Sequence, residues 1–209
     1  KPMGVHVQVP MKAGIAACWL KWRHQLPFLV SEHYGIYNPY VHDHYRTRSV
    51  WFRMMTYIVL KQAAALVTVS HSLGKDIQRW VTAKPFHVIP NVVDTSLFQY
   101  TSPPPISPFR FIHVSNMAYL KNVDGILDAW LVLCKDGYDG MLTICGPVHP
   151  PIQQRVANDA ILKNQVHFTD ELSYEEVAAQ LKQQHALVLF SDTESQSCVT
   201  LEALCCGRP

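Results

Sequence analysis

The sequence predicts an α/β protein built on parallel sheets, and three observations carry that reading. Short apolar runs alternate with stretches of helical period, above all in the second half. Hydrophobic residues make up 48% of the chain and charged residues 16%, the balance of a packed globular protein rather than a disordered one. A stretch with four prolines, Thr101 to Pro108, cannot sit inside a central strand or helix and separates two blocks. The predicted organisation is therefore residues 1–100, a linker over 101–108, and residues 109–209.

In the first block Val5 to Val9 alternates as a strand, followed by a helix from about Met11 to Arg23. Phe28 to Glu32 is the next strand, and Gly35, Asn38, Pro39 and Asp43 punctuate a turn-rich stretch from Tyr34 to Tyr45. Trp51, Met54, Met55, Ile58 and Val59 recur at helical spacing. Leu66 to Val69 is a strand, Ser70 caps a short helix over Leu73 to Val81, and His87 to Ile89 is a strand ended by Pro90. In the second block Phe109 to Val114 is a strand, and Val123, Ile126, Leu127, Trp130, Leu131 and Cys134 form one helix face. Met141 to Cys145 is a strand ending at Gly146, a helix follows Pro151, and Val166 to Phe168 is a strand. Ser173 and Glu176 form a capping box that opens a helix through Leu181. Ala186 to Phe190 has the composition of a buried strand; Cys198, Leu201, Ala203, Leu204 and Cys205 follow as the apolar side of a helix ended by Gly207 and Pro209. Strands each followed by a helix imply parallel pairing with right-handed crossovers.

Bulk properties exclude several classes. A formal charge of +2 without a Lys/Arg run gives no reason to expect nucleic acid. No apolar stretch approaches the ~20 residues of a membrane-spanning helix. Six scattered cysteines without Cys-x-x-Cys read as buried free thiols of a reducing compartment, so a cytoplasmic location is expected. The chain opens at Lys1 with neither initiator Met nor signal peptide, as a fragment would.

In a parallel sheet ligands bind outside the carboxyl ends of the strands. Ser115, Gly146, Thr169 and Glu194 all fall there. Ser195, Gln196 and Ser197 sit where a strand hands over to a helix start, whose free N–H groups and dipole favour an anion such as phosphate. Glu194 precedes that helix and Glu202 lies two turns into it; eight helical residues span roughly 12 Å and return a side chain to within about 80° of its first face. That geometry suits a nucleotide diphosphate sugar. Taken alone, the two glutamates read more simply as a cap and a solvated helix residue.

The pattern Glu194-x7-Glu202 after a strand, continuing as Glu202-Ala203-Leu204-x-x-Gly207-x-Pro209, resembles the donor-site signature of the retaining glycosyltransferases called family 4, or group 1. The stretch from Ile89 to Phe98 is similar to that family's crossover between domains. The resemblance implies the GT-B architecture, two Rossmann-like domains with parallel sheets facing across a cleft. It also implies that this chain lacks a first strand and glycine-rich loop ahead of Lys1 and further elements after Pro209, leaving both domains incomplete.

Ser115 to Asn122 resembles the family's Gly-Arg…Lys motif, in which the two cations hold the donor diphosphate. Lys121 keeps its charge, which would stabilise the leaving diphosphate; Ser115 and Asn116 stand where the motif has Gly and Arg, and Asn supplies a donor without charge. By the same resemblance His33 faces the donor sugar, Glu194 contacts its hydroxyls, and Glu202 accepts from the ribose. Gly146 and Thr169 approach base and ribose through backbone groups, and Ser195, Gln196 and Ser197 replace the usual Gly-Phe-Gly. Cys198 is expected in the core. Catalysis would rest on His33, Lys121 and Glu194, with front-face attack and no metal or other cofactor. The donor would be a UDP- or GDP-linked sugar, and the acceptor a glycan or lipid-linked saccharide in cell-surface polysaccharide synthesis.

Two readings from other classes stand beside this one. Asn116 in place of Arg, and the chain's two ends, suit a nucleotide-sugar-binding module without turnover. A sugar-nucleotide epimerase of related fold is the third, against which the Glu-x7-Glu element argues. His42-Asp43-His44 has no further spaced ligand and reads poorly as a metal site. Arg46, Arg48 and Arg53, interleaved with Tyr45, Trp51 and Phe52 on a predicted helix, read either as an ordinary amphipathic face or as contact with an anionic membrane surface, the inner face of the membrane in a cytoplasmic protein.

Overall fold

A computed structural model describes residues 2–209, and these form two compact α/β units. The first unit runs through Asn91 and includes Thr193–Gln196. It consists of β1 (Val5–Gln8), α1 (Ala13–His24), β2 (Phe28–Glu32), α2 (Val50–Gln62), β3 (Ala65–Thr68), α3 (His71–Trp80) and β4 (His87–Val88). The strands pair in parallel in the order β1-β2-β3-β4, with Val5 opposite Phe28 and Leu29 opposite Ala65. Val7, Phe28, Val30, Leu60, Leu66 and Ile77 fill the core between sheet and helices. Gly14 lets α1 lie against α2, since a Cβ there would come within 2.4 Å of the Val59 side chain. Ser70 caps α3, its hydroxyl accepting from Leu73 N at 3.3 Å.

The second unit comprises Val92–Asp192 and Ser197–Pro209. Its elements are β5 (Phe109–Val114), α4 (Val123–Lys135), β6 (Gly140–Cys145), α5 (Pro150–Asn158), α6 (Leu162–Gln165), β7 (Val166–Thr169), α7 (Tyr174–Lys182), β8 (Ala186–Leu187) and α8 (Cys198–Cys205). Its sheet is again parallel, in the order β7-β6-β5-β8. The helix face predicted for α4 is the observed one, with Val123, Ile126, Leu127 and Trp130 buried. The predicted capping box of α7 is also present, Ser173 Oγ accepting from Glu176 N and Glu176 Oε2 from Ser173 N. Helix α6 is a single turn, too short for its period to show in sequence.

Two expectations near the end of the chain are corrected. The run Ala186 to Phe190 is not a five-residue buried strand: only Ala186–Leu187 is strand, and Phe190 is 57% exposed. β8 pairs with β5 through Ala186 and Leu187, Leu187 N also donates to Pro209 O at 2.7 Å, and the last ladder bond runs from Val188 N to Ile112 O at 2.8 Å. The Phe190 ring instead covers Gly125 of α4, where a Cβ would lie 2.8 Å from it. Helix α8 buries Glu202 and Ala203, while Leu204 is 58% exposed. Its inward side therefore carries a carboxylate, which apolar spacing alone cannot reveal.

Thr101 to Pro108 forms neither helix nor strand and is fastened to its own unit by Arg208. That guanidinium, 1% exposed, donates to Thr101 O (2.9 Å), Thr101 Oγ1 (2.8 Å), Ser102 O (3.3 Å) and Lys182 O (2.8 Å). One buried cation thus serves carbonyls of the proline-rich stretch and the end of α7 together. Its replacement by Met would strand these acceptors, and we expect a loss of about 3 kcal/mol in denaturant unfolding of the second unit.

His113 on β5 is fully buried and bonded at both ring nitrogens, to Val188 O at 2.9 Å and to Ser115 Oγ at 2.7 Å. A carbonyl only accepts, so Nδ1 carries the proton, and Nε2 of the neutral ring accepts from the Ser115 hydroxyl. Ser115 Oγ in turn accepts from Met117 N at 3.0 Å. Burial, with a smaller push from the Lys121 charge, lowers the His113 pKa below its usual value, while the bond to Val188 opposes the shift. The folded state thus binds this proton less readily than the unfolded chain. The stabilisation is complete above the unfolded pKa of ~6.5 and is lost as pH falls through the lower folded value. Melting curves from pH 8 to 5 should show wild type losing more stability than His113→Gln; parallel losses would show that His113 does not titrate in this way.

Candidate functional site

The carboxyl edge of each sheet carries a cluster of polar groups. In the first unit it is built around Glu32, the last residue of β2, which is 1% exposed. Its carboxylate accepts from Tyr37 Oη at 2.8 Å and from the backbone N–H of His33 and Tyr34, both at 2.9 Å. Burial raises the Glu32 pKa, and these three bonds to the charged form pull against the rise. The chain is thereby turned so that the His33 side chain is exposed beyond the strand end.

His33 Nε2 lies 2.8 Å from Gln8 Oε1, and the Gln8 amide nitrogen lies 3.1 Å from His6 Nε2, which also meets Ser31 Oγ at 2.8 Å. An amide oxygen accepts only, so in this arrangement Nε2 of His33 is the donor. Sequence reasoning singled out His33 but missed Glu32 and Gln8. Their signals, an acidic residue inside an apolar strand and a polar residue at the end of β1, lie in plain view but have no meaning until the topology pairs β1 with β2.

The loop Thr193–Gln196 belongs to the same unit. Asn38 Nδ2 donates to Thr193 Oγ1 at 2.8 Å, and Ser195 Oγ donates to His33 O at 2.7 Å. Gln196 Oε1 accepts from Asn91 N at 2.6 Å, and its carbonyl accepts from Asn91 Nδ2 at 3.4 Å. Glu194, exposed, sits in the middle of this held loop. The expected continuous helix frame from Glu194 to Glu202 is not formed. Helix α8 begins at Cys198, so Glu202 lies just over one turn in, and the 12 Å and 80° relation does not apply. Ser197 is the cap, its hydroxyl accepting from Thr200 N at 3.3 Å and Thr200 Oγ1 at 2.9 Å.

In the second unit Ser115, Asn116 and Met117 leave β5 in a tight loop, with Met117 at φ 53°. Asn116 is exposed and its Oδ1 accepts from Ala118 N at 3.1 Å, which leaves its NH2 as the donor group. Lys121 ends a 3-10 turn (Tyr119–Lys121) and precedes Asn122, whose left-handed backbone and side chain cap α4 by accepting from Gly125 N at 3.1 Å. Gly146, at φ 133°, is indispensable here: a Cβ would stand 2.0 Å from the Ser115 carbonyl. Its N–H donates to Thr169 O at 3.3 Å, so that N–H, expected to meet a nucleotide, is committed to the neighbouring strand end.

Glu202 is 7% exposed, and its Oε1 accepts from Tyr174 Oη at 3.0 Å. Burial raises the Glu202 pKa, opposed by that bond; the Tyr174 hydroxyl is pushed up to about 12 by burial and then by its bond and proximity to the carboxylate. Glu202 is therefore a buried acceptor and not a solvated helix residue. Cys198, expected in the core, is exposed; all six cysteines are free thiols, and only Cys145 and Cys206 are buried.

The remaining sequence candidates resolve structurally. His44 is buried, its Nδ1 accepting from Arg46 N and its ring edge-on to Trp80 at 5.2 Å, while Asp43 pairs with Arg48. Among the described residues no group of three or more His, Cys, Asp or Glu is placed to hold a metal ion. Tyr45, Arg46 and Arg48 precede α2 instead of lying on it; Tyr45 is buried, Arg46 stacks over Trp80 at 5.2 Å and Arg48 over Phe52 at 5.5 Å. Among the described residues no helix is long and apolar enough to cross a membrane.

Comparison with known proteins agrees with this architecture. Residues 1–97 match the model of Glycosyltransferase Family 4, and residues 102–209 match that of Glycosyl transferases group 1. No curated protein matches the chain. Sucrose-phosphate synthase from Thermosynechococcus elongatus is similar at 19% identity with a TM-score of 0.81, over 98% of this chain and 54% of its own. The lipopolysaccharide outer core galactosyltransferase WaaB is similar at 18% identity and TM-score 0.67, over 98% and 55%. A pneumococcal O-GlcNAc transferase, GtfA, solved with UDP and GlcNAc, is similar at 14% identity and TM-score 0.67, over 98% and 40%. The chain thus spans about half the length of the solved structures it matches. With two Rossmann-like units of parallel sheet, and a group 1 match over more than half its length, the chain belongs to the group 1 glycosyltransferases of GT-B fold.

Proposed function

We propose that the protein of which this chain is part transfers a sugar from a UDP- or GDP-linked donor to a hydroxyl of a glycan or lipid-linked saccharide, with retention at the anomeric carbon. The observation that carries the reading is Glu202: a carboxylate held buried on α8, outside the carboxyl edge of a parallel sheet, in a chain of this family. Burying a carboxylate costs free energy unless it is hydrogen-bonded, and an acceptor-rich carboxylate is the group that suits a ribose diol. In this reading the diphosphate lies by Lys121, the Asn116 amide and the start of α8. Ser195, Gln196 and Ser197 shape the turn into that helix, and Gly146 and Thr169 border the base. Glu194 contacts the transferred sugar.

The bond from the anomeric carbon to the diphosphate oxygen breaks as the acceptor oxygen bonds the same face of that carbon. The departing phosphate oxygen takes the acceptor's proton. Lys121 stabilises the charge that gathers on the diphosphate, and His33 orients the reacting groups with its Nε2 fixed on Gln8. No metal enters this scheme. Lys121→Ala or Glu194→Ala should lower turnover of the whole protein by ~100-fold or more. An NMR assay of the product's anomeric configuration should show retention; inversion would remove the front-face mechanism.

Asn116 favours a second reading, a nucleotide-sugar-binding module without turnover, because the position supplies a neutral donor in place of a cation. Thermal unfolding with a panel of nucleotide diphosphates and their sugars, with and without chelator, tests both. A ligand at 100 times its Kd should add ~2.7 kcal/mol, irrespective of chelator. Binding without sugar transfer to any acceptor would favour the module; no binding would sink the donor site.

The same proposal includes a cytoplasmic protein that touches an anionic membrane surface through its first unit. Residues 1–62 hold eight Lys and Arg against only Glu32 and Asp43, and α1 presents Trp22, 79% exposed, between Lys21 and Arg23. Co-sedimentation with vesicles should require anionic lipid and weaken with salt; equal recovery on neutral vesicles would count against it.

A further inference from the structure

Tyr174 is the first residue of α7, fixed there by the Ser173–Glu176 capping box. Its ring meets Phe98, itself 1% exposed, edge-on at 4.8 Å. The hydroxyl donates to Glu202 Oε1 at 3.0 Å, yet the residue as a whole remains 46% exposed. Two successive helices, α7 and α8, thus bring a half-exposed phenol onto a buried carboxylate 28 residues further along the chain.

The chemistry of this pair is specific. The bond to Oε1 restrains the carboxyl group and leaves Oε2 as its second acceptor. A phenol that gives its proton to a carboxylate keeps its oxygen lone pairs, so Tyr174 Oη becomes a second acceptor beside Glu202 Oε2. Two acceptors on one hydrogen-bonded pair match two neighbouring hydroxyl donors. A ligand that lacks one of those hydroxyls leaves one acceptor unpaired, and sites built around such a hydroxyl reject analogues without it.

We infer that Tyr174 is a positioning and specificity residue that, with Glu202, reads both hydroxyls of the donor's ribose and excludes deoxyribonucleotides. The inference rests on the donor reading given above. It adds a residue from α7 to the nucleotide subsite and assigns it discrimination at the sugar of the nucleotide rather than at the base or the phosphates.

The test uses whichever of UDP and GDP binds the wild-type protein, with its 2′-deoxy counterpart, and reads Kd by calorimetry. Wild type should prefer the ribonucleotide by about tenfold or more, and Tyr174→Phe should bring the ratio to within about threefold while affinity for the deoxynucleotide changes little. A purely structural role for Tyr174 would lower both affinities together and leave the ratio alone. Should Tyr174→Phe fail to fold, Tyr174→His keeps a ring against Phe98 but stops short of the carboxylate and gives the same readout. An unchanged ratio in either folded variant overturns the inference and leaves the donor site standing. Absence of any nucleotide binding by wild type overturns both.

Discussion

A parallel sheet ends all its strands at one edge, and the backbone groups beyond the last ladder bond must find partners there. Much of this protein follows from how that edge is completed. In the first unit the Glu32 carboxylate takes the two N–H groups that follow β2. In the second, His113 takes the Val188 carbonyl on one side and the Ser115 hydroxyl on the other. Both are buried ionisable groups, and burial moves both toward the neutral form. The two strand ends are thus completed by side chains whose pKa values are shifted by the burial that comes with their place there. The residues that face solvent beyond them, His33 and Asn116, inherit their positions from these completed ends.

The outline of the fold was legible because it is written in repeated local signals. Strand β2, strand β5, the α4 face and the α7 capping box appear where periodicity and caps put them. What failed did so for tertiary reasons. Phe190 looks like strand interior, but the ladder with β5 ends at Val188, and Gly125 offers the Phe190 ring a seat. Helix α8 turns its carboxylate inward and Leu204 outward, a choice made by Tyr174 and the sheet rather than by residue spacing.

The candidate site shows the same division. Glu194, Glu202, Lys121 and His33 were singled out as candidates by their place in a motif, since each ends or follows a predicted strand. Gln8, His113 and Tyr174 were not, because each meets a partner 25 or more residues away, and Glu32 was not, because its partners His33, Tyr34 and Tyr37 meet it only once the chain turns at the end of β2. A motif records groups that a ligand would meet. The groups that hold those groups still leave a weaker trace, being ordinary polar residues until the topology pairs them.

Gly146 separates the ends of β5 and β6 by the room that a missing methyl leaves beside the Ser115 carbonyl. A dimension set by an absent atom is one-sided. Any replacement pushes the two loops apart, and none draws them closer, so drift at this position has a single direction. Variation that reshapes the mouth of the second unit without breaking it therefore has to come from the loop tips, at residues such as Asn116 and Ala118.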